Sequence, residues 1–514
     1  MKMVKSLLLG SAAGLVAVVG AQAADLPVKA KPVEYVKVCS IYGAGFWYIP
    51  GTDTCIKLGG WVRWEVGLGG GNSSVPYIIG GFNTRGTNDA PWRARWVLST
   101  DVRTQTEYGT LRAYIRAGYQ TTTGETTQGR IYTERGFIQF AGFTLGKSQS
   151  YFDFFGGAFC YGCGYLGNSS QTGAAGTLLA AYTASLGNGI TATLSLEDSF
   201  MRRSALFDAA DAGNALAIGA VPGPLVVADS YSTTGITAGD YAGVQLPHLV
   251  GALRVDQAWG SAQIAGAVGQ VRGNWYGTIF TTPPASSNTQ VAPGEEVGWA
   301  VMGGLVLNAP MIAPGDRFYV EATYTQGMMG YVGLSGGIVG TTNTYVRFNG
   351  ANVAAAWAFD GVFGVHPTTG LLTGLELTDA WAIAAAFEHY WTPNLRSSLW
   401  GSYTAVDYGG NASALICSRP IFTGAAGAAV VGGIALGCNP DFEVWGVGLR
   451  TIWNPVRNLD VGLEVMYAKI ETAHATGTPI LYAGSTAGRA AGTYLSSSED
   501  TWHALFRVQR YFWP

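Results

Sequence analysis

Apolar and polar residues alternate strictly over long stretches of this chain. From Trp92 to Arg103, every even position is uncharged, whereas the odd positions include three arginines and an aspartate. The same alternation runs from Leu111 to Tyr119 and from Leu459 to Tyr467. Because successive side chains of a β-strand point to opposite faces, this period of two predicts strands with one apolar and one polar face.

Strands of this kind recur along the whole chain, and their connections alternate in length. Seven connections are short, such as Thr392-Pro393, and eight are long. The sixteen predicted strands cover 57–68, 91–103, 109–120, 131–141, 143–151, 177–186, 189–198, 247–258, 261–273, 296–307, 316–328, 379–391, 394–405, 442–453, 458–471 and 500–512.

An even strand number with alternating short and long connections is typical of a bacterial outer-membrane barrel. A closed sheet suits lipid because it leaves no backbone N–H or C=O group unpaired. We therefore predict an all-β fold: a 16-stranded antiparallel transmembrane β-barrel with short periplasmic turns and long extracellular loops. A soluble β-sandwich or β-solenoid also shows alternation. Apolar faces of about ten residues and arginines on adjacent strands favour the barrel, in which aromatic residues near strand ends form interfacial girdles.

The chain begins with a segment typical of a secretory signal. Lys2 and Lys5 precede an apolar run, and Ala21-Gln22-Ala23 is a small-residue cleavage site. We expect a signal peptide over 1–23, a periplasmic or entry segment over 24–56, and a barrel over 57–514 whose loop 152–176 forms the constriction. The long loops 199–246, 329–378 and 406–441 receive no role from the sequence.

Composition fits an exported barrel better than a soluble enzyme. The chain has 514 residues, of which 74 are glycine and only 12% are charged, while 48% are hydrophobic. No run of 18 apolar residues follows the signal segment, so a helical membrane protein is not expected. The formal net charge of −3 gives no reason to expect a nucleic-acid partner.

Six cysteines fall into three local pairs: Cys39 with Cys55, Cys160 with Cys163, and Cys417 with Cys438. In an oxidising compartment such pairs are candidate disulfides, although locality alone selects this pairing. A zinc or redox site at Cys160 and Cys163 needs a second ligand pair or a thioredoxin-like context, and neither is present. This pair is therefore expected to be a loop disulfide or two free thiols. No metal or cofactor is expected.

Four segments resemble the alphaproteobacterial general porins: VCSIYGAGFWYIPGTDTCIKLGGWVRWE at 38–65, RTQTEYGTLRAYIRAGY at 103–119, FIQFAGFTLGKSQSYFDFF at 137–155 and LRVDQAWGSAQIAGAV at 253–268. The resemblance implies a sixteen-stranded barrel, a homotrimer in the outer-membrane lipid, and passive diffusion of small hydrophilic solutes. It also implies a third long loop folded into the lumen. That loop contains a single carboxylate, Asp153, among many aromatic residues.

The last predicted strand ends on Phe512, which resembles the signal read by the outer-membrane assembly machinery. Such barrels usually end at this aromatic residue, whereas here Trp513 and Pro514 follow it. These two extra residues put recognition by that machinery in question.

Charged residues on the polar faces of the first three strands are candidate pore-lining residues. We expect arginines, which stay charged at any relevant pH, to oppose Asp153 and the loop aromatics across the constriction. Since arginine outnumbers acid there, a mild anion preference follows. The alternative is ordinary pairing of the arginines with the acids between strands. These candidates are Arg63, Glu65, Arg93, Arg95, Asp101, Arg103, Arg112 and Arg116.

Other functions remain open on the same barrel. The aromatic residues of the third loop could form a stacking track in a substrate-specific channel, for example for sugars, or they could simply pack the loop. These residues are Tyr151, Phe152, Phe154, Phe155 and Tyr161. An adhesin or structural anchor needs no arginine-lined interior. An enzyme is not expected, since the five histidines are scattered and no H-E-x-x-H, G-x-S-x-G or P-loop pattern occurs.

Overall fold

A computed structural model describes residues 37–69, 89–123, 129–154, 159–161, 176–210, 241–276, 291–334, 344–472, 474–482 and 490–512. The expected signal peptide, together with Trp513 and Pro514, lies outside these residues.

Within the described residues, sixteen long strands form one antiparallel sheet. Each starts and ends within a few residues of its predicted position, because the period-two pattern runs through the whole strand. The strands are β1 Thr54–Leu68, β2 Trp92–Thr106, β3 Gly109–Thr122, β4 Arg130–Phe140, β5 Phe143–Ser148, β6 Thr177–Gly187, β7 Ile190–Glu197, β8 His248–Gln257, β9 Gly260–Arg272, β10 Glu295–Asn308, β11 Arg317–Gln326, β12 Asp379–Thr392, β13 Leu395–Asp407, β14 Phe442–Trp453, β15 Leu459–Thr472 and β16 Glu499–Tyr511.

The sheet closes on itself. Every strand pairs with the next one along the chain, and β16 pairs back with β1, with Trp61 opposite Tyr511 and Leu68 opposite Ala504. No strand of this sheet therefore presents an open edge, as a span through lipid requires. The prediction of a closed sixteen-stranded antiparallel barrel is confirmed.

Short and long connections lie at opposite ends of the barrel, which we call the turn end and the loop end. The turn end carries the seven short connections, among them 107–108 and 393–394. Exposed tryptophans lie on the outer surface near both ends: Trp92 and Trp502 at the loop end, Trp453 at the turn end. Their positions match the aromatic girdles of outer-membrane barrels.

The described residues contain two short α-helices, Gly410–Cys417 and Pro420–Thr423. In this part of the chain, no helix is long and apolar enough to cross a membrane.

Segments of four long loops pack together in the barrel mouth at the loop end. We call this assembly the cap, and it comprises the described parts of 199–210, 329–334, 344–378, 408–441, 474–482 and 490–498. It contains a three-stranded sheet (Ala205–Asp208, Phe359–Phe363, Glu376–Leu377) and a four-stranded sheet (Thr344–Asn349, Asn352–Trp357, Pro479–Tyr482, Gly492–Ser496).

The cap has a hydrophobic core that continues onto the inner wall of the barrel. Phe348, Phe422 and Tyr482 are fully buried in one cluster with inward-facing Ala382 of β12 and Ala468 of β15. Alanines at these inward positions leave room for the rings of the cap. The sequence pattern predicts a polar inner face for the strands, but at the loop end the inner faces of β12 and β15 carry alanines that pack against the cap.

Two of the expected disulfides are present. Cys39 bonds to Cys55 and fastens the segment before β1 to its first turn, and Cys417 bonds to Cys438 within the cap. Cys160 is also disulfide-bonded, whereas Cys163 lies outside the described residues. The strand Trp47–Tyr48 pairs with β1 beside the first disulfide, so the described part of the predicted entry segment lies at the turn end.

The lumen and its third loop

The described residues of the third long loop, between β5 and β6, contact the inner wall of the barrel in two places. Gln263 on β9 donates its side-chain amide to the carbonyl oxygens of Tyr151 at 3.2 Å and Phe152 at 3.3 Å. Farther along the loop, the Tyr161 N–H donates to the Glu464 carboxylate on β15 at 2.7 Å. These anchors lie on well-separated strands, so the described part of the loop narrows the water path.

Two glycines of the wall let this loop lie close to it. A Cβ atom on Gly304 of β10 would lie 2.2 Å from the Phe154 ring, and one on Gly462 of β15 would lie 2.1 Å from the Tyr161 hydroxyl. Both distances are far below van der Waals contact. The absence of side chains at these two positions therefore gives the loop aromatics their places on the wall.

Asp153 does not face the lumen. It forms an ion pair with Arg202, and each of these side chains is only 1% exposed. Arg202 also donates to the Gly330 carbonyl at 3.3 Å and lies 4.6 Å from the Tyr331 ring. A buried carboxylate needs such a partner. The expectation that Asp153 opposes the arginines across water is thus corrected: it joins the third loop to the cap.

On the wall formed by β1 to β3, carboxylates are shared between arginines. Glu65 pairs with Arg93 and, at 2.8 Å, with Arg507 of β16. Asp101 accepts hydrogen bonds from Arg103 and Arg112 at 2.8 to 3.0 Å. Pairing between strands, the alternative interpretation of these arginines, therefore occurs in the structure.

Arg95 and Arg116 share a third carboxylate, Glu134, that the sequence pattern did not single out. Arg116 lies 2.6 Å and Arg95 3.8 Å from it, and Arg95 also donates to the Tyr132 hydroxyl at 2.6 Å. The strand pairing of β4 shifts at this point, since Arg116 lies opposite Arg135 and Ala117 opposite Thr133. This irregularity inserts Glu134 as an extra residue, so parity alone could not give its register.

Arg63, the remaining candidate of β1, donates to the Gln509 side chain at 2.6 Å. Its guanidinium lies 4.2 Å from the centre of the Trp61 ring, which is buried. Arg63 thus lies next to the closure between β1 and β16.

Arginines also line the wall on which the third loop lies. Phe154 lies over Arg254 at 5.2 Å and Phe159 over Arg317 at 5.5 Å. The Tyr161 ring lies 3.7 Å from the Arg507 guanidinium. These loop aromatics therefore stack on arginines of their own wall, rather than facing arginines across the lumen as expected from sequence.

The aromatic residues of the loop are largely removed from water. Phe152 is 0% and Phe154 7% exposed, and the half-buried Tyr151 donates its hydroxyl to Thr144 at 3.0 Å. Phe155 lies outside the described residues. Phe152 thus presents no ring face to a passing solute, which fits the packing interpretation of this ring, whereas Phe154 keeps a small exposed surface.

Two cavities lie in the lumen between the third loop and the turn end. The larger, of about 460 Å³, is bordered by Phe154 and Arg254 among others. The smaller, of about 280 Å³, contains five arginines in its lining: Arg63, Arg317, Arg396, Arg450 and Arg507. In the part of the chain that the structure describes, no group of three or more His, Cys, Asp or Glu could hold a metal ion.

Known proteins resemble this chain over most of its length. Residues 25–502 match the model of a family described as a porin subfamily. Porin Omp2a of Brucella melitensis biotype 1 is 32% identical over 350 residues, which cover 60% of this chain and 82% of that protein. Porin Omp2b of Brucella suis is 32% identical over 339 residues, covering 60% and 81%.

A solved structure shares the fold. The outer-membrane channel DcaP of Acinetobacter baumannii superimposes with a TM-score of 0.52 over 90% of this chain and 99% of that one. The two sequences are 15% identical, so this likeness concerns the fold alone.

Proposed function

The chain belongs to the porin subfamily whose model spans it, and from that premise we propose that its lumen is a general diffusion pore that favours small anions. Its place is the outer membrane, where it forms a porin channel. The preference for anions, the residues that produce it and the assembly state belong to the proposal.

The observation that carries the proposal is the sharing of carboxylates in the lumen. Among the described residues, ten arginines of the pore wall form ion pairs with only six carboxylates. Glu388 alone lies 3.1 Å from Arg317, 3.2 Å from Arg450 and 3.7 Å from Arg396. One negative charge cannot neutralise three guanidinium groups, so these clusters keep a positive excess.

A positive excess inside a low-dielectric wall raises the local concentration of anions. Arginine N–H groups along the path replace part of the water shell of an anion as it passes. Apolar solutes find no compensation for the water that they displace from these charged groups. The geometry therefore supports passage of small hydrophilic solutes, with anions favoured over cations of the same size.

The buried state of Phe152 and the small exposed surface of Phe154 support this general pore over a sugar-specific one. A stacking track requires several ring faces that a sugar can reach, but Phe152 is fully buried against the Tyr331 ring, and Phe154 is only 7% exposed where it borders a cavity. We therefore offer no second function.

The reversal potential of the purified protein in a planar bilayer under a KCl gradient tests the preference. We expect a potential of the sign given by chloride, and a smaller one for Arg95→Gln, because Arg95 is part of the shared cluster at Glu134. Arg510→Gln is the matched control. Because Arg510 is exposed on the outer surface, this substitution should leave the reversal potential unchanged. A potential of the sign given by potassium would contradict the proposal.

We further propose that the protein is a homotrimer inserted by the outer-membrane assembly machinery. Membership in the porin subfamily supports the trimer, and the outward-facing Phe512 after β16 supports recognition by that machinery. Electrophoresis of unheated and heated samples, with and without thiol reduction, distinguishes a trimer from a monomer.

A further inference from the structure

We infer that the 280 Å³ cavity beside the third loop binds a small multivalent oxyanion, with inorganic phosphate as the simplest representative. This inference rests on the proposed pore, because the anion must reach the cavity through the lumen. It goes further in assigning a saturable site where a purely general pore has none.

The lining of the cavity is strongly unbalanced in charge. Against the five arginines named above stand two carboxylates, Glu388 and Asp460. Glu388 is shared by three of these arginines, and Asp460 is 3.8 Å from Arg396. Within the described lining, the guanidinium groups therefore exceed the carboxylates by a wide margin.

Several of these charged groups are nearly cut off from bulk water. The side chains of Arg450 and Arg507 are 5% and 9% exposed, and that of Glu388 is 3% exposed. Positive charge in such a place is costly unless a counter-charge lies close to it. Arg507 is partly compensated by Glu65 behind it. Glu464 of β15 likewise lies close enough to act on Arg450. Five guanidinium groups still face two carboxylates in the described lining, and an anion in the cavity would lower the cost of that excess.

The five arginines approach the cavity from different sides. They come from β1, β11, β13, β14 and β16, so their donors converge on one volume instead of lying along one strand. Guanidinium groups donate pairs of N–H bonds that match the oxygens of phosphate and carboxylate. An anion with several charged oxygens can accept paired hydrogen bonds from several arginines and compensate more than one positive charge, whereas chloride carries a single charge and a neutral sugar carries none.

The third loop completes this site. Tyr161 lines the cavity and lies 3.7 Å over the Arg507 guanidinium and 5.2 Å from that of Arg450. The ring limits the orientations of both groups, which reduces the entropy lost when they bind an anion. The volume of about 280 Å³ is many times what one water molecule needs. It can hold a phosphate with part of its water shell.

Phosphate block of chloride current tests the site. Single channels in 0.1 M KCl are exposed to increasing inorganic phosphate at neutral pH, and we expect the current to fall to a plateau with half-block in the millimolar range. Arg396→Gln should raise the half-blocking concentration at least fivefold, because Arg396 lines this cavity. Sulfate and a short dicarboxylate should block as phosphate does, whereas block by phosphate alone would narrow the site to phosphate.

Arg254→Gln is the matched control. Arg254 is also a lumenal arginine paired with a carboxylate, but it lines the other cavity. The phosphate concentration that half-blocks this variant should stay within twofold of the value for the unmodified protein. Chloride-selective channels without phosphate block, or block weakened equally by both variants, would overturn the site and leave the pore intact. Absence of chloride preference would instead overturn the proposed function.

Discussion

Asp360 shows how a single buried carboxylate can tie the cap together. Its oxygens accept hydrogen bonds from the N–H groups of Met329 at 2.6 Å and Ser204 at 2.8 Å, and from the Tyr241 hydroxyl at 2.6 Å. These donors come from two long loops. Burial raises the pKa of Asp360 to about 7, although the three hydrogen bonds and Arg203 oppose this shift.

The raised pKa predicts that the cap is more stable in mild acid. A carboxyl group whose pKa is higher in the folded state than its ordinary value of 3.8 loses stabilisation as the pH rises from about 4 to about 7. The 199–210 and 329–334 segments should therefore be cleaved faster by added protease at pH 8 than at pH 5.5.

Two variants check that this pH dependence comes from Asp360. Asp360→Asn cannot ionise and should flatten the dependence of cleavage on pH. Asp53→Asn, at an exposed position before β1, should leave it unchanged. Equal cleavage rates of the unmodified protein at both pH values would contradict the prediction.

At the scale of single residues, sequence parity identified which side chains face the lumen but not which groups they meet. The arginines of β1 to β3 point inward as their alternation with apolar residues requires. Asp153 and Arg202, in contrast, are separated by 49 positions and lie in loops without any periodic pattern. Nothing local in the sequence could bring them together. Glu134 was missed because an irregular pairing shifts its register.

At the scale of elements, the close contact between Gly304 of β10 and the third loop leads to a prediction about the ion current through the pore. Gly304→Val would force the Phe154 ring away from β10, since even a Cβ atom lies 2.2 Å from it. A ring displaced from β10 would enter the cavity that Phe154 borders, so we expect a lower single-channel conductance. Gly303→Val is the matched control, because a Cβ atom at Gly303 meets nothing within 4 Å. Identical conductance of the two variants would show that Phe154 does not border the path.

The barrel strands could be predicted from the sequence, whereas the strands within the long loops could not. Each barrel strand faces lipid on one side, so every second residue of the strand is apolar. This period of two is visible in the sequence. The cap segments bury side chains on both faces, so the run from Val353 to Phe363 carries no alternation. Its long apolar stretch was a signal of a buried strand within the loop 329–378, but apolar runs of this length do not distinguish a strand from a buried helix.

At the scale of the whole molecule, the outward-facing end of β16 predicts how much protein reaches the membrane. Phe512→Ala removes the aromatic ring that directly follows β16 and should lower the amount of folded porin in outer-membrane fractions severalfold. Phe318→Ala removes an outward-facing ring of β11 and serves as the control for lost lipid contact. Quantification of heat-modifiable protein in both variants measures the effect. Equal reduction in both would mean that Phe512 contributes only lipid contact.

The pairing of β1 with β16 also constrains the order in which the strands of the barrel can assemble. Glu65 and Arg507 are 442 positions apart, and Arg63 and Gln509 are 446 apart, yet both pairs bridge the closure. Contacts of such long range form late, because the entropy of joining distant parts of a chain must be overcome first. Until β16 arrives, the growing sheet has two edges that hydrocarbon cannot tolerate. Insertion must therefore proceed with those edges shielded from lipid. A chain that stops before β16 cannot form a closed barrel.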